Sequence, residues 1–184
     1  MERFFIYLMA HVFLMVPTAA ALYAADVTDA PVGYSWKHVD DIKAAFLLPD
    51  AWSYHKEYNG TTVAVFLSKQ NIAENGKFDT GVSINVIRAN PSAPRQLKEI
   101  IEMRANKFGS KISMAQMEPF VRLNTQYDSV RDDGVNIRIV HIVLVNVYTK
   151  TSYMIIFETP ASLWDKNWKI GEVVVNNLAL ETNI

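Results

Sequence analysis

The most regular stretch of the chain is Val135 to Tyr148. Its odd positions are Val135, Ile137, Ile139, His141, Val143, Val145 and Val147, apolar throughout but for the histidine. Its even positions are Asn136, Arg138, Val140, Ile142, Leu144, Asn146 and Tyr148, apolar only in the middle. A period of two predicts a strand. One fully apolar face and one partly apolar face place that strand inside a sheet, well covered on one side and partly on the other. Tyr153 to Glu158 has the same character, with Tyr153, Ile155 and Phe157 alternating with Met154 and Ile156.

Shorter strands precede these two. Trp36 to Asp40 and Ala44 to Leu48 read as strands, the second closed by the turn signal Pro49-Asp50. Ser53 to Tyr58 and Thr62 to Leu67 flank Asn59-Gly60, a strong hairpin signal. Gly81 to Arg88 carries Val82, Ile84 and Val86 on one face, after a polar loop from Lys69 to Thr80. Phe120 to Val130 is a further strand, followed by the turn Asp132-Asp133-Gly134.

The period changes twice. Leu97, Ile100, Ile101, Ala105 and Phe108 recur at helical spacing. They predict a helix from about Pro94 to Phe108, with Ser92 as its N-cap and Gly109 ending it. Thr159-Pro160-Ala161-Ser162 opens a last helix, Ser162 and Asp165 forming a capping-box-like pair. Trp164, Trp168, Gly171, Val175 and Leu178 fall on its apolar face. Short turns between consecutive strands require antiparallel pairing. The expected fold class is therefore α+β: an antiparallel β-sheet flanked by helices, an α/β/α sandwich.

The first 24 residues follow a different plan. Arg3 supplies a weak positive start, Phe4 to Val16 is apolar but for His11, and Pro17-Thr18 breaks the run. Small residues follow in Ala19-Ala20-Ala21-Leu22-Tyr23-Ala24-Ala25. Charge, short apolar core and small residues in that order are a secretory signal peptide. Cleavage after Ala24 starts the mature chain on a polar stretch; Ala21 is the other candidate. The competing reading is a retained anchor, since Phe4 to Leu22 has 19 residues against the roughly 20 that a membrane helix needs. Pro17 and the alanines spoil its second half. No later stretch is apolar for long enough to span a bilayer. The expected organisation is a leader over residues 1–24, a flexible lead-in over 25–34 and one domain over 35–184. The expected location is secreted or periplasmic.

Composition narrows the function classes. Of 184 residues, 50% are hydrophobic and 20% charged, which excludes a disordered or low-complexity chain. Eighteen basic residues face 19 acidic ones, and a net charge of −1 gives no basic excess for nucleic acid. There is no cysteine, so disulfides, thiol catalysis and thiolate metal sites are absent. A domain in an oxidising compartment must then rely on packing alone.

Two segments resemble a known family. Phe46-Leu47-Leu48-Pro49-Asp50-Ala51-Trp52 resembles the apolar strand, proline and tryptophan near the start of the PsbP family. Tyr153 to Glu158, Thr159-Pro160 and Trp164 resemble that family's last strand, its turn and its closing helix. The group includes the Mog-type Ran-binding import factors and many uncharacterised bacterial secreted proteins. The resemblance spans about Trp36 to Leu180 and its motifs are structural. It implies an α/β/α sandwich that acts as an accessory or binding module rather than an enzyme. No patch matches the photosystem-binding or Ran-binding surfaces residue by residue, so neither role is implied.

The residues themselves offer little chemistry. His38, His55 and His141 are not spaced as a helical metal pair. His141 sits on the apolar face of its strand and reads as a core histidine with its hydrogen bonds satisfied. His38 and His55 would reach a metal only by meeting across neighbouring strands, near Asp40, Asp41 and Glu57. No Gly-x-Ser-x-Gly elbow is present, and Asp40-Asp41 and Asp132-Asp133 lie at turns rather than as acid/base couples. No glycine-rich phosphate fingerprint appears. Trp164 and Trp168, four apart, share a helical face and read as core anchors rather than a ligand platform. Trp52 reads as a core plug. Arg95, Lys98, Arg104 and Lys107 alternate with Glu99 and Glu102 and read as a solvated face. Asn59-Gly60-Thr61 fits a glycosylation sequon. No catalytic, cofactor-binding or metal-ligating residue is assigned. The expected protein is a non-enzymatic accessory or binding protein without cofactor, with a protein or small-molecule partner in the cell envelope. The alternatives are a small secreted hydrolase with an unrecognised site and a structural subunit of an envelope assembly.

Overall fold

The computed structural model describes residues 29–60, 62–72, 77–88 and 90–180. The leader read over residues 1–24 lies outside the described residues, as do Thr61 of the sequon and Asn75-Gly76 of the polar loop.

Among the described residues ten strands form two sheets, and two helices described over their full length pack on them. The strands are β1 (Tyr34–Val39), β2 (Ala44–Pro49), β3 (Ser53–Asn59), β4 (Thr62–Ser68) and β5 (Gly81–Ile87) before helix α1 (Ala93–Phe108). After it come β6 (Ile112–Met117), β7 (Phe120–Val130), β8 (Asn136–Asn146) and β9 (Ser152–Pro160). Helix α2 (Trp164–Asn176) and β10 (Leu178–Leu180) follow. A seven-stranded sheet has the order β3-β4-β5-β9-β8-β7-β6, with every pair antiparallel. A second sheet of three strands has the order β1-β2-β10. The fold class is α+β, as the alternation of periods predicts.

β8, the clearest strand in the sequence, lies between β7 and β9 inside the large sheet. Its two faces meet different layers. Val143 packs with Leu123, Leu97 and Ile101, and Ile137 and Ile139 pack with Tyr127 and Phe108, so the odd face lies under α1. Val140, Ile142 and Leu144 join Val65, Ile84, Ile155 and Phe157 in the main core. That core is closed by α2 through Val174 and Val175, and by the small sheet through Phe46 and Leu180. The layers are therefore α1, the large sheet, and α2 beside the small sheet. Trp52 is buried in this main core, as expected of a plug.

Several local expectations change. The register Asn59↔Thr62 keeps Asn59 in the strand, so the turn begins at Gly60, one residue later than the Asn59-Gly60 signal. Ser92 has helical dihedrals and makes no side-chain cap; its own N–H donates to Asn90 Oδ1 at 2.9 Å. Ser162 does not cap α2 either. β9 runs on to Pro160, a 3₁₀ turn takes Ala161–Leu163, and the helix starts at Trp164 without a side-chain cap. Leu178 leaves the helical stripe altogether, because it opposes Phe46 in β10. Gly109 ends α1 as expected. Its φ of +63° lets Ser110 N–H reach Ala105 O at 2.9 Å, closing the last turn.

Candidate functional site

The third layer does not extend over the whole large sheet. Beyond β8, the face of β7 that looks toward α2 carries Arg122, Asn124, Gln126 and Asp128 in succession. Residues two apart on a strand share a face. A face covered by a hydrophobic layer would not hold four polar side chains in a row. Here Arg122, Asn124 and Gln126 form one side of a cleft of about 350 Å³, with Thr125, Ser113 of β6 and Lys111 beside them. Val140 and Ile142 of β8 supply apolar lining, and Trp168, Glu172, Val175 and Asn176 of α2 complete the lining. Most of the lining residues are polar or charged, and groups of that kind fix a small ligand's orientation.

Arg122 is the focus of this cleft. It is only partly exposed, and burial pushes its pKa down, although a guanidinium remains charged. Its Nε donates to Asn124 Oδ1 at 2.8 Å. Asn124 Nδ2 in turn donates to Ser113 Oγ at 3.4 Å. This chain fixes the guanidinium plane and consumes one of its five donors. Among the described residues Arg122 forms no ion pair. A desolvated cation without a counter-ion costs stability. The neighbouring arginine on the same face of the sheet shows the ordinary solution: Arg138 Nε meets Asp128 Oδ1 at 2.6 Å and its guanidinium lies 5.3 Å from the Trp164 ring centre. Glu172, exposed on α2 across the cleft, also forms no ion pair among the described residues.

Trp168 reaches the cleft from the core. Its ring stacks on Trp164 with centres 5.0 Å apart and planes 8° apart, and both rings lean on Phe157. The expected anchoring role is therefore met, and Trp168 in addition lines the cleft. Deeper in α2, Asn167 is 1% exposed and ties three elements together. Its Nδ2 donates to Thr159 Oγ1 at 2.7 Å and to Thr80 Oγ1 at 3.1 Å. Its Oδ1 accepts from Lys69 Nζ at 2.6 Å. The helix that forms one wall of the cleft is thus locked to β9 and to the entry of β5.

A second hollow, of about 650 Å³, lies around the Pro49-Asp50-Ala51-Trp52 turn, with Tyr34 and Ile170 in its lining. It is larger, but its lining is mainly aliphatic and aromatic. Lys69, the basic side chain that lines it, is already committed to Asn167. Asp50, its other charged lining residue, is exposed at the turn, whereas Arg122 is partly buried, so the Arg122 cleft is the better candidate.

The histidines do not converge. His38 is on β1 of the small sheet, and His55 is on β3 of the large one, paired with Glu57 at 2.9 Å. The two are not on neighbouring strands. His141 is 2% exposed, as expected of a core residue. It is not satisfied, however: among the described residues neither ring nitrogen has a hydrogen-bond partner. Burial, with a smaller contribution from the charge of Arg104, pushes its pKa down to about 4, so the ring is neutral at pH 7. Asp41 accepts from Lys56 at 2.5 Å and also from Tyr58, and Asp133 pairs with Arg131 at 2.8 Å. These carboxylates lock turns to strands. The i,i+4 pairs Arg95–Glu99 and Lys98–Glu102, each at 3.6 Å, confirm the solvated face of α1.

The sequence matches no protein-family model, and no curated protein matches it. Solved structures do resemble it. The solution structure of cyanobacterial PsbP (CyanoP) from Synechocystis is 11% identical, with a TM-score of 0.56 over 82% of this chain and 94% of that one. A crystal structure from Bacteroides thetaiotaomicron is 11% identical, with a TM-score of 0.47 over 77% of this chain; the chain spans 46% of that protein's length. The likeness to the cyanobacterial structure shows a PsbP-like fold.

Proposed function

We propose that this chain is an exported, non-enzymatic accessory module of the cell envelope that binds a small anionic molecule in the cleft at Arg122. The observation that carries the reading is the arginine itself: partly buried, held by Asn124, and without a carboxylate partner among the described residues. A protein retains such a cation at a cost in stability when a ligand supplies the missing charge. The leader-like residues 1–24 and the PsbP-like fold support the exported, accessory character. Among the described residues no helix is long and apolar enough to cross a membrane.

A nuclear magnetic resonance titration of the exported form with acetate, phosphate and 3-phenylpropanoate tests the site. Amide shifts are expected around Ser113 and Arg122–Gln126 with at least one of these anions, and are expected to vanish in Arg122→Gln. Absence of any Arg122-dependent shift overturns the reading. Intact mass of the exported protein is expected to begin at Ala25; residues 1–24 retained in a membrane fraction would remove the export part.

A further inference from the structure

We infer that the cleft takes a zwitterion, an apolar α-amino acid or short peptide whose carboxylate meets Arg122 and whose ammonium meets Glu172. This inference rests on the anion-binding reading above and narrows it. The two walls carry opposite charges, Arg122 on β7 and Glu172 on α2. Neither has an ion partner among the described residues, and they do not pair with each other. Opposite charges that face one hollow without meeting leave room for a molecule that presents a negative end to one and a positive end to the other.

The remaining lining narrows the chemistry. With Nε of Arg122 bound to Asn124, the two terminal nitrogens remain to grip both oxygens of a carboxylate. A dianion such as phosphate would gain from Arg122 and from Lys111 but would be repelled by Glu172. A neutral molecule would leave the guanidinium desolvated and unpaired. Val140, Ile142, Val175 and Trp168 also line the cleft and provide an apolar surface that suits a hydrocarbon or aromatic side chain. The volume, about 350 Å³, lies at the small end of ligand cavities and excludes a long polymer from full enclosure.

Three matched probes test this on the exported chain: L-phenylalanine, 3-phenylpropanoate, which lacks its ammonium, and 2-phenylethylamine, which lacks its carboxylate. Affinities are read by calorimetry, and sites by amide shifts. L-Phenylalanine is expected to bind at least tenfold tighter than either truncated probe. Glu172→Gln is expected to erase its advantage over 3-phenylpropanoate, and Arg122→Gln to erase its advantage over 2-phenylethylamine. Glu172 is exposed, and an unchanged melting temperature of its variant certifies folding. Equal, Arg122-dependent binding of 3-phenylpropanoate and L-phenylalanine overturns the zwitterion and leaves the anion site standing. Phosphate binding that depends on Arg122, with no response to L-phenylalanine, does the same. No Arg122-dependent response to any of these probes or to phosphate overturns both.

Discussion

A β-carbon at Gly171 would stand 2.4 Å from Cε2 of Phe157 and 2.5 Å from Cδ2. No real pair of carbons packs that closely, so α2 approaches β9 only because residue 171 has no side chain. The Phe157 ring cannot move aside freely, since Trp164 and Trp168 lie against it at 5.8 and 5.3 Å. Overpacking a core by one methyl group costs about 1–3 kcal/mol. Gly171→Ala is expected to fall at the upper end of that range, despite the better helix propensity of alanine. Urea unfolding measures it; a variant as stable as the parent would show that the helix can lift from the sheet at no cost.

Asn167 serves the same junction by hydrogen bonding. Asn167→Ala removes the acceptor of Lys69 and a donor shared between Thr80 and Thr159. The two hydroxyls still face each other at 2.8 Å, so they are not orphaned. The amine of Lys69 can turn to water. The expected loss is about 1–3 kcal/mol, the cost of leaving part of a buried polar network unpaired. Thermal unfolding checks the size. Hydrogen exchange at the start of β5 is expected to quicken, and unchanged exchange there would detach Asn167 from that element.

His141 makes stability depend on pH. Its folded-state pKa, about 4, lies below the ordinary histidine value of 6.5. Between those values the unfolded chain binds more protons than the folded one. Its contribution is therefore complete above pH 6.5 and lost as pH falls toward 4. The gap corresponds to about 3 kcal/mol. Glu158 titrates in the opposite sense, because burial raises its pKa, so the comparison must be between variants. His141→Leu is expected to be close to the parent at pH 7 and more stable than it at pH 4.5. Parallel stability curves from pH 7 to 4.5 would contradict the burial of a neutral ring.

Arg122 is expected to behave unlike a structural residue. Arg122→Met removes a desolvated charge and keeps a flexible apolar stem opposite Leu144 of β8. The variant is expected to match the parent or exceed its stability by up to about 1 kcal/mol. Chemical denaturation decides it. A loss above about 2 kcal/mol would mean that the bond to Asn124 holds β7 in place and that the arginine is kept for the fold.

Much of this architecture was legible because burial on both faces leaves a near-continuous apolar run bounded by turn signals, as in Ile137–Leu144 and Tyr153–Phe157. The missed elements are those where burial writes no pattern. β6, Ile112–Met117, is an edge strand whose four central residues are exposed, so its composition carries no period. β10 is three residues long, and Leu178 continues the helical stripe of α2 by coincidence of spacing. The caps misled for a different reason: Ser92 and Ser162 have the right chemistry, but the chain enters each helix in another conformation. The cleft was present in the sequence as Arg122, Asn124 and Gln126. That alternation marks the face of a strand left uncovered by the apolar layer. Its meaning depends on where α2 ends up, which no local pattern contains.

The small sheet sets a timetable for folding. β2 is its middle strand, and its second partner, β10, brings Leu178 opposite Phe46, 132 positions later in the chain. A chain that emerges N-terminus first, from a ribosome or across a membrane, exposes Phe46 and Leu47 before β10 is there to pair with their strand. Until then one edge of β2 is open, and an open, apolar edge is an aggregation hazard. Contacts of such long range also slow the search for the native topology. The three residues of β10 therefore act as a latch on a nascent chain, and the period before they arrive is when a holding chaperone has most to protect.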